Sequence, residues 1–417
     1  MALTEVAIIG AGIAGPVLAM LLKQKGYIPV LYERAECATS GGLSLALQPN
    51  GFKVLSLIPG LLEGLPGRRI THTAVFSTIT NRTLVFHDAP SRAGERYNSS
   101  PELGIRGVQR ERFHRYLVEQ SESRDIIIHW SHQLQNLEEV DEDCVELHFA
   151  NGKTARASFV IGCDGLHSNA RSALFGDMKP DYTGLVQTGG MSPRPQTLKN
   201  IDAMCNFLGA HAHMVAYPIT DEYYSWAMNS LTQPEEEHKE SWRSIDEDRK
   251  EAFKKGPFSR WGSGAGDMVK TTTKVIKYGL YDRPELKTWY KGRVVLLGDA
   301  AHPTTPHLGQ GANQAFEDIY HLVRALTMHH PSPITPATTS QLTAAFAEYE
   351  RVRLPRSSEL VRRARARGDK RVENIDFNNL EAMERRENIW KEELSEDNIW
   401  NDMDVYAKGT YEGRSEI

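Results

Sequence analysis

Seventeen consecutive residues, Val6 to Leu22, carry neither a charge nor a polar side chain, and three glycines interrupt them at Gly10, Gly12 and Gly15. The apolar length alone would suit a signal peptide or a short membrane span. A signal peptide needs a basic segment first, however, and Met1 to Glu5 has none. Seventeen residues also sit at the lower edge of a membrane helix. The glycines spell GxGxxG directly after the strand-like Val6-Ala7-Ile8-Ile9, so the run reads as a strand, a tight turn and a helix start.

Each glycine has a separate task in such a turn. Gly10 permits the sharp change of direction, Gly12 lets backbone N–H groups approach a pyrophosphate, and Gly15 allows the helix to pack close on the strand, with Ala14 beside it. The helix offers the positive end of its dipole to the phosphates. Pro16 falls in the first turn, where a missing N–H costs nothing. Val17, Leu18, Leu21 and Leu22 form the apolar face, and Gly26 marks the stop. A second strand, Ile28 to Tyr32, leads to Glu33, eighteen residues beyond Gly15. An acid there accepts hydrogen bonds from an adenosine ribose and repels a 2′-phosphate, which favours FAD or NAD over NADP at this site.

The whole chain of 417 residues is 40% hydrophobic and 25% charged, a globular composition sized for two or three domains. Its 49 basic against 54 acidic residues leave a net charge of −5, without the basic excess that nucleic acid requires. Cys37, Cys144, Cys163 and Cys205 have neither CxxC spacing nor a paired His pattern, so no metal site is expected. Free thiols point to a reducing, cytoplasmic setting.

Periodicity predicts a helix over Gly51 to Leu57, another over Gln109 to Ser121 opened by Arg110, and strands at Ile126 to Trp130, Cys144 to Phe149 and Ala155 to Ile161. The character changes near residue 180. Strand-like stretches at Leu185 to Thr188, His213 to Ile219, Tyr223 to Met228 and Thr271 to Tyr278 surround a polar segment near 233 to 255 that reads as helical. A buried strand, Val294 to Leu297, then precedes a glycine-rich loop, a helix from Gly311 to Leu326, an irregular stretch at 331 to 340 and a charged helical end. The expected fold is α/β: a Rossmann-type domain in three pieces (1–70, 104–179, 286–345), an excursion at 71–103, a mainly antiparallel substrate domain at 180–285, and a helical C-terminus at 346–417.

Three separated blocks occur together. They are the GxGxxG with Glu33-Arg34, the segment Val160-Ile161-Gly162-Cys163-Asp164-Gly165 through Arg171, and Gly298-Asp299-Ala300-Ala301-His302-Pro303 continuing through Pro306, Gly309, Gly311, Ala312 and Asn313 to Glu317-Asp318. With Tyr349-Glu350-Arg351 to Pro355-Arg356, they resemble the class A flavoprotein monooxygenases, the group of para-hydroxybenzoate and salicylate hydroxylases and fungal natural-product oxygenases.

The resemblance implies FAD as resident cofactor, NADPH or NADH as transient co-substrate, and O₂ delivered to an aromatic or unsaturated small molecule through a flavin C4a-hydroperoxide. The reaction would be hydroxylation or epoxidation, in a setting of secondary metabolism. It implies cofactor contacts at Gly10, Gly12, Ala14, Gly15, Glu33, Arg34, Leu45, Ala46, Arg110, Asp164, Asp299, Gly309, Gly311, Ala312 and Asn313. Asp299 would meet the ribityl hydroxyls, and the helix beginning near Gly311 would stabilise negative charge on the reduced ring. Pro306 would pack beside the isoalloxazine. Asp164 and Arg171 would handle NADPH and the FAD region, or form a structural ion pair.

The substrate side offers His211, His213 and Tyr217 on one face of a regular strand, with Tyr223, Tyr224 and Trp226 nearby. His213 or Tyr217 could serve as base or hydrogen-bond partner to a phenol, or both could be sheet core. Many relatives carry an arginine soon after the element that Tyr182-Thr183-Gly184 resembles; here Gly189 stands there, which argues against a strongly anionic substrate. A halogenase or reductase on the same scaffold, or a flavin-bound regulator without turnover, are the alternatives. The halogenase WxWxIP segment is absent.

Overall fold

The apolar N-terminal run forms its strand and helix because both are buried from two sides. In the computed structural model, which describes residues 4–38, 41–98, 100–141, 143–178, 180–209, 212–231, 243–244, 246–371 and 379–409, strand Glu5–Ile9 lies inside a sheet. It pairs in parallel with Phe159–Gly162 on one side and Ile28–Tyr32 on the other. The sheet continues to Ile127–His129 at one edge, and through Val294–Leu296 to the antiparallel Tyr290–Lys291 at the other. Helix Ala14–Gln24 buries every residue from Gly15 to Leu22 and packs against the long helix Gly311–His329. Parallel strands covered by helices require continuous apolar runs rather than alternation. No described helix is long and apolar enough to cross a membrane.

A second sheet runs, among the described residues, in the order Arg243–Ser244, Lys274–Asp282, Asp181–Pro193, Tyr223–Leu231, Ala212–Pro218, Ala203–Gly209, His72–Ser77 and Thr83–His87. Alternation divides its faces. Cys205, Phe207, Met214, Ala216, Trp226 and Met228 point one way, into a core closed by helix Ala265–Thr271. The opposite face looks toward the first sheet. His72–Ser77 enters this sheet as the parallel partner of Ala203–Gly209, so the excursion after residue 70 supplies strands to the sheet that the middle of the chain builds.

Local differences from the sequence reading have physical causes. The single strand expected over Ala155 to Ile161 is two, Thr154–Ala157 and Phe159–Gly162. At Ser158, whose N–H donates to Glu5 O at 3.0 Å, the chain leaves one sheet for another. The helix expected from Gly51 begins at Pro49, which occupies its first turn. Of the polar segment near 233 to 255, helix Glu247–Lys255 is present; 232–242 and 245 lie outside the described residues.

The charged C-terminal end is helical over Thr339–Arg371, Leu380–Glu393 and Glu396–Tyr406. The last two cover part of the second sheet. Trp390 and Leu394 pack on Val75 and Leu208, while Met403 and Tyr406 pack with Ile70, Ile105 and Leu360.

Candidate active site

The glycine turn has the geometry its spacing predicts. Gly10 sits at φ +100°, where a Cβ would come within 2.7 Å of Cys163 O, and a Cβ on Gly15 would run into Gly10 O. A Cβ on Gly12 would meet nothing within 4 Å. Gly10 and Gly15 are therefore fixed by the protein itself, whereas Gly12 faces open space, which is the arrangement a phosphate-cradling turn requires. Glu33 accepts from Ala11 N at 2.8 Å and Ala35 N at 2.9 Å. His114 Nε2, from helix Arg110–Glu122, donates to Ala11 O at 2.6 Å. His114 was not legible as a site residue; only its position one turn after Arg110 hints at it.

One cavity of about 690 Å³ runs from this turn to the second sheet. Gly10, Gly12, Ala14, Glu33, Arg34, Leu45, Ala46, Arg110, Asp164, Asp299, Pro306, Gly309, Gly311, Ala312 and Tyr217 all line it. Three candidates do not. Gly15 lies beneath the turn. Asn313 is fully buried and holds the wall together: its Nδ2 donates to Ala46 O and Gly309 O, both at 3.0 Å, and its Oδ1 accepts from Gln48 N at 3.0 Å. His213 is also fully buried; its Nε2 is 3.1 Å from Asn206 Oδ1 and its ring lies 4.9 Å from that of Trp390. His211 lies outside the described residues.

The carboxylates around the cavity have distinct surroundings. Burial pushes Asp299 up, against the pull of His302 and Arg110, and burial also lowers Arg110, against the pull of Asp299. Asp164 is raised by burial, opposed by its bonds from Ser168 Oγ and Ala170 N. Ser168 in turn caps helix Asn169–Phe175 by accepting from Arg171 N. Arg171 reaches across to Ala300 O at 3.3 Å and to Leu166 O at 2.8 Å, linking the second and third sequence blocks.

Behind Asp299 lies a buried ionic cluster. Asp318 Oδ2 accepts from Gly298 N at 3.0 Å and faces His302 Nε2, while its Oδ1 accepts from Arg353 Nε at 2.7 Å. Glu317 accepts from Arg353, Arg356 and Asn50, each at 2.7 Å. Burial alone would raise both carboxylates, but the facing arginines, with His302 beside Asp318, outweigh it and hold each at about 2. The cluster anchors the turn that presents Asp299.

The sheet face is polar. Tyr217 Oη lies 2.8 Å from Ser44 Oγ, which donates to Ser225 Oγ at 2.7 Å, which donates to Gly190 O at 3.4 Å. A carbonyl can only accept, so the protons run from Tyr217 toward Gly190 and leave the tyrosine lone pairs free. Burial pushes Tyr217 up to about 12. Register places His213 opposite Asn229, Asn229 opposite Gln187, and Gln187 opposite Tyr278. Tyr278 Oη donates to Gln187 Oε1, Gln187 Nε2 donates to Asn229 Oδ1 at 2.9 Å, and Asn229 Nδ2 reaches His307 Nδ1 at 3.5 Å. Period-two alternation from Tyr217 could have found Asn229 and Asn206 only with the strand pairing in hand.

A family model described as FAD binding domain matches residues 3–364. The chain is 32% identical over 365 residues to 3-amino-4-hydroxybenzoate 2-monooxygenase of Streptomyces cremeus, covering 87% of this chain and 86% of that protein. It is 31% identical over 375 residues to 6-hydroxynicotinate 3-monooxygenase of Pseudomonas fluorescens, covering 86% and 89%. The crystal structure of Klebsiella pneumoniae HpxO complexed with FAD and uric acid superposes with a TM-score of 0.81 over 97% of each chain, at 23% identity, a likeness of fold.

Proposed function

The chain belongs to the class A FAD-dependent monooxygenases, and on that premise we propose that it uses NAD(P)H and O₂ to hydroxylate an aromatic small molecule lying on the polar face of its second sheet. The observation that carries this reading is one continuous cavity, lined at one end by the glycine turn and at the other by Tyr217.

The residues present fit FAD. Gly12 leaves room for the pyrophosphate, and Glu33 has carboxylate lone pairs left over for a ribose after accepting from Ala11 and Ala35. Asp299 stands over the cavity where ribityl hydroxyls can donate to it. Gly311 opens helix Gly311–His329, whose N-terminal N–H groups would favour negative charge on the flavin ring, and Pro306 lines the same cavity. When bound, FAD supplies the electron transfer from NAD(P)H and the activation of O₂.

The chain's own part is positioning and proton handling. Tyr217, held protonated at neutral pH, donates its hydrogen bond to Ser44 in the Ser44–Ser225 chain and accepts one from a substrate hydroxyl. That hydrogen bond raises the electron density of the ring. The C-terminal helices exclude water from the same space. The unpaired cysteines Cys37, Cys144, Cys163 and Cys205 support a cytoplasmic enzyme.

Reconstitution tests the reading. Purified protein should take up FAD and oxidise NAD(P)H faster when an aromatic substrate is added, and Asp299→Ala should lose the flavin. Full FAD affinity in Asp299→Ala would displace the assigned site, and a wild-type chain that takes up no FAD would overturn the reading.

A further inference from the structure

The family match ends at residue 364, yet the cavity does not. Leu394, Ile399 and Met403, from helices Leu380–Glu393 and Glu396–Tyr406 and the turn between them, line its sheet end together with Arg367. Ile399 and Met403 pack in one apolar cluster with Met204 and Tyr217 of the sheet face and Leu308 of the loop after Pro306. Leu394 packs on Val75 and Leu208. The segment beyond the family match thus roofs the place where the proposed substrate lies.

The charge on this end is as telling as its shape. Among the described residues, the strands of the sheet line the cavity with amides, hydroxyls and apolar groups, and with no Lys or Arg. Gly189, on that face, presents no side chain, and a Cβ there would have to displace Leu43 Cδ1, 2.7 Å away. The guanidinium of Arg367 is met by Asp402, and that of Arg110, which faces Tyr278, is opposed by Asp299, so neither arginine brings net positive charge to this end. Burying a carboxylate against an apolar roof and neutral amides would be strongly unfavourable. An alkyl group there gains by leaving water.

We propose that the C-terminal helices select the substrate: an uncharged ring compound whose hydrogen-bonding edge faces Tyr217 and the Gln187–Asn229 amides, and whose apolar arm lies under Leu394, Ile399 and Met403. This rests on the monooxygenase reading above and adds the class of molecule. It sets the chain apart from relatives named for benzoate and nicotinate substrates.

Binding to the FAD-loaded protein, read from the flavin absorbance change, tests it with para-butylphenol, para-cresol and para-hydroxybenzoate. Butylphenol should bind at least about tenfold more tightly than hydroxybenzoate. Met403→Ala and, separately, Ile399→Ala should each reduce the preference for butylphenol over cresol severalfold; two variants guard against one that misfolds. Tighter binding of hydroxybenzoate, binding of no probe, or an unchanged butylphenol preference in both variants would overturn the proposal while leaving FAD uptake and the monooxygenase reading intact. Absence of FAD uptake would overturn both.

Discussion

Arg353 Nε and Asp318 Oδ1 meet at 2.7 Å with neither side chain exposed to solvent. The same guanidinium reaches Glu317 at 2.7 Å, and Asp318 also accepts from Gly298 N, beside Asp299. Two carboxylates buried this deeply are tolerable only with their cations in place. Arg353→Met should therefore destabilise the fold by about 3–5 kcal/mol, measured by urea unfolding. A loss below about 1 kcal/mol would mean that water or another group already compensates the acids.

The same cluster sets a pH dependence. Glu317 and Asp318 titrate near 2 in the folded chain, below their ordinary values of 4.5 and 3.8. Because the folded values are depressed, the stabilisation is complete above the unfolded values and drains away as pH falls from about 5 toward 2. Unfolding midpoints followed over that window should decline steadily. Midpoints that stay level to pH 3 would contradict the assignment.

Two glycines of one motif should respond differently. Gly15→Ala drives a Cβ into Gly10 O, so it should lower both the stability of the apoprotein and FAD affinity. Gly12→Ala meets no protein atom within 4 Å, so apoprotein stability should stay within about 0.5 kcal/mol while FAD affinity falls at least about tenfold. Calorimetry and flavin titration separate the two. Equal effects on both properties in both variants would remove the argument that Gly12 serves the ligand.

Tyr217→Phe deletes the oxygen that heads the Ser44–Ser225 chain. Product formation should fall about 10²-fold with FAD affinity unchanged. Turnover at the wild-type rate would return Tyr217 to a packing role.

The nucleotide half was legible because its constraints are local. Gly10, Gly12, Gly15 and Glu33 lie within twenty-four residues, and backbone sterics tie each identity to one position. Whether His213 serves as a base or as sheet core depends, by contrast, on contacts distant in sequence. Its side of the strand was readable by alternation, but a helix almost two hundred residues later covers it with Trp390. Asn313 likewise sits in the right motif, and its fully buried amide turns into the wall. The Gln187–Asn229 row depends on register between strands, which no short window of sequence specifies.

Oxygen transfer is the most direct test of the whole account. The FAD-loaded chain, given NADPH and isotopically labelled O₂ with a panel of neutral phenols, should place one labelled oxygen atom in the organic product for each NADPH consumed. Label found only in hydrogen peroxide and water across the panel, at any rate of NADPH oxidation, would contradict it.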